Sequence, residues 1–208
     1  KNKDIITAGV FIGDNFEGYQ IAFSREYFKN LNLFSNNKKI KIQGRLGDFP
    51  ALNIKKTFKG LNIIQIESQM NYVNYENLTK FEVFSRQKGY RNLADKHRKN
   101  NYPESFVESY KRYAKSLVSV ENFDGNDVDT NMELELIFLD NPLKNLKKSK
   151  RVLLEYQNKI LTDHKVSLMS FNNGYFRKEY VKTNKDGYFE YFFKNDTKYL
   201  IESVVIIE

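Results

Sequence analysis

The chain has no cysteine and no tryptophan, and only three prolines and two histidines in 208 residues. Without cysteine there are no disulfides, no thiolate metal sites and no cysteine nucleophile. The redox compartment stays open, since many exported bacterial proteins also lack cysteine. The two histidines, His97 and His164, stand far apart, so no pair at helical spacing offers a metal site. No apolar run approaches the roughly 20 residues a membrane-spanning helix needs. Gly44 to Gly47 lacks the following Lys-Ser/Thr of a phosphate loop, and no Ser/His/Asp arrangement is evident. These absences argue against an enzyme.

What the chain does have is aromatic: 17 Phe and 14 Tyr within a 40% hydrophobic composition. Aromatic side chains suit a pleated, half-buried surface, so the composition favours β-structure with one large core or two small ones. The net charge of +8 alone would suggest an acidic partner. Only eight of the 34 basic residues are Arg, however, and Lys, Asn and Ile are over-used together, as an AT-rich coding sequence produces. Nucleic-acid sites favour Arg for bidentate recognition, so nucleic acid is not expected as a partner. The densest cluster, Lys144, Lys147, Lys148, Lys150 and Arg151, reads as a solvated loop between strands.

Along the chain, Ile5 to Gly13 reads as a strand interrupted by Asp14-Asn15 and restarted after Gly18. Lys29 to Lys41 reads as strands turning at Asn36-Asn37, and Leu61 to Ser68 as another. Leu78, Phe81 and Phe84, with Gly89 after them, predict a helix of about three turns from Glu76 to Lys88. A polar helical stretch follows over Leu93–Lys99, and Ser105 to Tyr113 is expected to add a turn before strand resumes at Ala114. The acidic, Gly/Asn-rich run from Glu121 to Asn131 is the best domain boundary. Beyond it, short strands end in an expected hairpin at Asn184-Lys-Asp-Gly187 and a closing strand from Tyr199 to Ile207, apolar on both faces and so expected at a sheet centre.

The expected architecture is mainly β: two Ig-like or transthyretin-like β-sandwich domains, the first with an α-helical insertion. Residues 1–124 form the first, with the insertion near 76–113; residues 125–131 are a linker; residues 132–208 form the second. Glu133 and Glu135 are expected on the wet side of their strand. Asp163 and His164 are the metal-ligating candidates, two donors where a metal ion needs three or four. His97, among cations, reads as a solvated helix face. No catalytic or cofactor-binding residue stands out.

An ordered set of segments carries a resemblance over nearly the whole chain. It comprises Gly13-Asp-Asn-Phe-Glu-Gly18, Gly44-Arg-Leu-Gly-Asp-Phe-Pro-Ala51, the helix with Phe81 and Gly89, Tyr110 to Val118, Leu134-Glu-Leu136 with Asn141-Pro142, Thr183 to Phe189, and Tyr199-Leu-Ile201. The set resembles a bacterial exported domain-of-unknown-function family described as the periplasmic component of nickel and cobalt uptake systems (NikM-like). The resemblance implies two β-sandwiches behind a removed signal peptide, and the start at Lys1 reads as a processed product. It also implies a periplasmic or secreted location in a Gram-negative bacterium, a divalent transition metal as ligand, and an inner- or outer-membrane transport component as partner. Val205 stands where such proteins carry a His. Two functions are expected on this footing: a non-catalytic exported binding or transport-accessory protein, or a structural and adhesive interaction module of the cell envelope.

Overall fold

The computed structural model describes residues 5–35 and 38–207. The expected turn at Asn36-Asn37 lies outside them. The fold is mainly β, of β-sandwich type, with two α-helices among the described residues. It opens with β1 (Ile6–Ala8), then β2 (Val10–Asp14) and β3 (Glu17–Ile21), which form an antiparallel ribbon turning at Asn15 and Phe16. Gly13 and Gly18 face each other there. A Cβ on Gly13 would fall 1.8 Å from the Glu17 carbonyl oxygen, so this close approach requires glycine.

Strands β4 (Phe28–Ser35), β5 (Lys38–Lys41), β6 (Leu52–Ile54) and β7 (Gly60–Ser68) follow. Next, β8 (Asn71–Tyr75) pairs with β9 (Phe106–Tyr110) as a ribbon, and the chain between them forms α1 (Leu78–Lys88) and α2 (Leu93–Lys99). Asn77 caps α1, its side chain accepting from the Thr79 amide at 3.1 Å, and Gly89 ends it at φ 104°. Tyr75, Leu78, Phe81 and Ala94 give the insertion a small core of its own. The expected helical turn over 105–113 is instead β9. Alternation in Phe106-Val-Glu-Ser-Tyr110 lets Phe106 stack on Tyr75 at 5.1 Å while Val107 faces solvent, and pairing with β8 overrides local propensity.

Strand β10 (Tyr113–Val120) completes an antiparallel sheet of order β10-β7-β4-β5. Its inner face supplies Leu31, Leu33 and Ile64 to the first core, closed by Ile6, Leu52 and Ile54 from the β1–β6 pair. Strand β7 is buried on both faces because its other face, carrying Leu61, Ile63, Gln65 and Glu67, lies beneath later chain.

The later chain forms β11 (Leu134–Phe138), β12 (Lys150–Tyr156), β13 (Lys159–Ile160), β14 (Lys165–Asn172), β15 (Tyr175–Lys182), β16 (Tyr188–Tyr191) and β17 (Lys198–Glu202). Strand β12 pairs with β11, β13 and β16 in one sheet; the other has order β15-β14-β17. Val152, Leu154, Val166, Leu168, Phe189 and Phe193 pack between them. Burying each of these apolar side chains contributes about 1.5–3 kcal/mol.

Two expectations change here. The Asn184–Gly187 turn exists, closed by the Asn184 amide on the Tyr188 carbonyl at 2.8 Å, but its arms are not a hairpin. Strand β15 joins β14 while β16 joins β12, so the turn is an arch between sheets. The closing strand is an edge, paired only with β14 among the described residues, and it ends at Glu202. Residues 203–207 leave the sheet toward the helical insertion, where Ile206 packs against its core and the Ile206 amide donates to the Tyr90 hydroxyl at 3.2 Å.

Candidate functional site

The site is built on the face of β14 that turns away from the core. Val166 and Leu168 point inward, so the period of two sends Lys165, Ser167, Met169 and Phe171 outward. Cross-strand pairing aligns them in rows: Glu202, Ser167 and Tyr180 in one, Leu200, Met169 and Lys178 in the next, then Phe171 with Phe176. An outer face of this kind is ordinarily wet. Here Met169 is fully buried and Ser167 is 6% exposed, so other chain covers them.

Two distant elements make the cover. The tip of the β2–β3 ribbon lays Phe16 against Phe171 and Phe176, ring centroids 6.3 and 6.4 Å away, and the Lys178 ammonium donates to Asn15 Oδ1 at 2.9 Å. From the other side comes the C-terminal end of α1. Lys88 pairs with Glu202 at 2.5 Å, and Lys165 donates to the Gln87 carbonyl at 2.7 Å, occupying one of the acceptors a helix end leaves open. Between ribbon, helix and sheet remains a cavity of about 220 Å³ lined by Asp14, Asn15, Gln87, Lys88, Ser167, Lys178 and Tyr180.

Its electrostatics are positive. Lys165 sits 3.8 Å over the Tyr180 ring. Burial holds its ammonium below the ordinary lysine range, and the nearby charges of Lys88, Lys178 and Arg91 press in the same direction. The Ser167 hydroxyl has no hydrogen-bond partner among the described residues. Such an arrangement can donate several hydrogen bonds to one small ligand.

The sequence candidates lie elsewhere. His164 Nε2 is 3.1 Å from the Val204 carbonyl, to which it donates, and its ring meets Tyr90 edge-on. Burial pushes its pKa below the usual histidine value. Asp163 Oδ1 pairs with Lys182 at 2.8 Å in an exposed turn. Among the described residues no three His, Asp or Glu side chains are grouped to share a metal ion. His97 is not simply solvated, since it contacts the Pro103 carbonyl at 2.7 Å and packs on Phe106.

Glu135 is not on a wet face either: it is 3% exposed. It accepts from the Thr130 amide and hydroxyl and the Met132 amide, and pairs with Lys115 of β10 at 2.6 Å. Alternation misled because the first sheet, not water, covers that face. Lys115, Gln65 and Asn32 form a polar row across β10, β7 and β4, and Gln65 donates on to the Thr130 carbonyl. Glu133 lies just before β11 and pairs with Lys111 and the Tyr113 hydroxyl. In the basic cluster, Lys150 is buried in β12, its ammonium on the Lys144 carbonyl.

The model of the family described as a domain of unknown function, DUF4198, matches residues 1–206. The chain belongs to that family. No curated protein and no solved structure matches it. Every residue of the junction cavity falls within the family match, including Asp14 at one end and Tyr180 at the other. No helix among the described residues is long and apolar enough to cross a membrane.

Proposed function

We propose that this DUF4198 chain is a non-catalytic binding module that holds a small polar ligand in the junction cavity, as an exported accessory of uptake across the cell envelope. The observation that carries the reading is the covered outer face of β14. Segments near residues 15, 88 and 167 meet around polar space, and the Ser167 hydroxyl in its lining has no hydrogen-bond partner among the described residues. A fold needing only stability would fill such a junction with apolar side chains. Transport, export and a nickel or cobalt ligand have the NikM-like resemblance in their favour; Asp163 and His164 are already engaged by Lys182 and Val204.

The test is thermal unfolding against a panel of nickel, cobalt, zinc, phosphate, small carboxylates and small polyols. A ligand at 100 times its Kd stabilises by about 2.7 kcal/mol. In a chain of this size that raises Tm by about 5–10 °C. Ser167→Leu, which removes the hydroxyl and narrows the cavity, is expected to abolish the rise. A panel without effect, or a rise that survives Ser167→Leu, would contradict the reading.

A second reading, an envelope interaction module, is favoured by Tyr72 and Val107. They stand on one face of the β8–β9 ribbon at 69% and 62% exposure, on the insertion that distinguishes the first half.

A further inference from the structure

We infer that the junction cavity is an anion site, taking a small molecule that carries a carboxylate or phosphate group. The inference rests on the reading of the cavity as a ligand site and adds the chemistry of the ligand. Four cations gather there: Lys88 and Lys178 in the lining, Lys165 over the Tyr180 ring that also lines it, and Arg91, whose charge reaches Lys165. Against them stand two carboxylates, Asp14 in the lining and Glu202, which is bound to Lys88. Lys165, Lys178 and Arg91 have no ion-pair partner among the described residues.

The contacts these ammonium groups make are to neutral acceptors, namely Asn15 Oδ1 for Lys178 and the Gln87 carbonyl for Lys165, with the Tyr180 ring beneath. Neutral acceptors hold an ammonium in place without cancelling its charge. Each ammonium has three N–H donors, so Lys88 and Lys178 retain donors beyond the bonds described. The Ser167 hydroxyl, in the lining and without a hydrogen-bond partner among the described residues, adds a neutral donor. Charge-assisted bonds from such a set are roughly twice as strong as neutral ones.

Size narrows the class. At about 30 Å³ per water in the liquid, 220 Å³ holds about seven waters, below the range typical of drug-sized ligands. That suits inorganic phosphate or an acid of a few carbons.

The test is calorimetric titration of the full chain at low salt with succinate and phosphate as anion probes and erythritol as an uncharged probe. At least one anion is expected to bind, with the tighter of the two identifying the preferred group. Lys178→Gln is expected to weaken binding at least tenfold and Ser167→Leu to abolish it. Arg91→Gln, at an exposed position without an ion pair, is expected to weaken binding several-fold with an unchanged melting curve. Anion binding unaffected by all three substitutions would overturn the inference. Erythritol binding lost in Ser167→Leu, with both anions silent, would overturn the anion assignment yet leave the cavity a ligand site. Silence from all three probes would overturn both.

Discussion

Replacing Lys115 by Met should be among the most damaging single changes in the chain. The Lys115 ammonium lies 2.8 Å from Asp127 Oδ1, 2.6 Å from Glu135 Oε1 and 2.8 Å from the Val128 carbonyl. The three side chains are 9%, 0% and 2% exposed. Both carboxylates are also held by other donors, Asp127 by the Val128 and Phe138 amides and Glu135 by Thr130 and Met132. Lys115→Met keeps the aliphatic stem but leaves two buried carboxylates without their cation. Breaking a buried pair by removing one partner costs about 3–5 kcal/mol, and two stranded carboxylates place this case toward the upper end. At about 2–4 °C per kcal/mol for a chain of this size, Tm should fall by about 8–20 °C. Circular dichroism melting at pH 7 measures it. Because the triad is buried, the difference should persist in 0.5 M NaCl, where exposed pairs are screened. A Tm within 2 °C of the parent, or a difference that salt removes, would refute the triad as the tie between β10 and the chain leading into β11.

Three further outcomes are expected. Gly187→Val should lower the urea midpoint by an amount equivalent to about 1–3 kcal/mol, because Gly187 has φ 78° and an added Cβ would sit 2.7 Å from Ile160 Cβ; an unchanged midpoint would show that the arch relaxes freely. His164 has a depressed folded pKa, so the unfolded chain takes up its proton first, and its contribution to stability is present above about pH 6.5 and lost as pH falls through the folded value. Melting from pH 8 to 5 should therefore fall less steeply in His164→Gln, and parallel curves would remove His164 from the account. Tyr90→Phe loses the hydroxyl that bonds both the Val204 carbonyl and the Ile206 amide, a cost of about 0.5–1.5 kcal/mol, with faster hydrogen exchange confined to residues 203–207; exchange unchanged there would mean the segment is held by packing alone.

Local chemistry made much of the fold legible. Gly89 ended the helix where a C-cap glycine should, and the alternation in Leu61 to Ser68 marked a strand. What escaped was set by partners distant in sequence. Nothing near Phe106 announces a strand until Tyr75 lies opposite, and nothing near Glu135 announces burial until Lys115 faces it. The Asn184–Gly187 turn was readable from its residues, whereas the sheets its arms join were not. The junction cavity was hidden for the same reason. Asp14-Asn15 read as a break between strands, one residue ahead of the turn at Asn15 and Phe16, and the helix was expected to end at Lys88, where it does. One local sign was present: Lys165 and Ser167 are polar on alternate positions beside Met169, a pattern indistinguishable from a solvated face until Phe16 and α1 cover it.

Amide NMR during a succinate titration tests the central claim most directly. The account predicts that resonances of Asn15, Lys88, Ser167 and Lys178 shift together along one saturating curve, since one ligand would touch ribbon, helix and sheet at once. Shifts confined to the exposed lysines of the 144–148 loop, rising linearly without saturation, would contradict it.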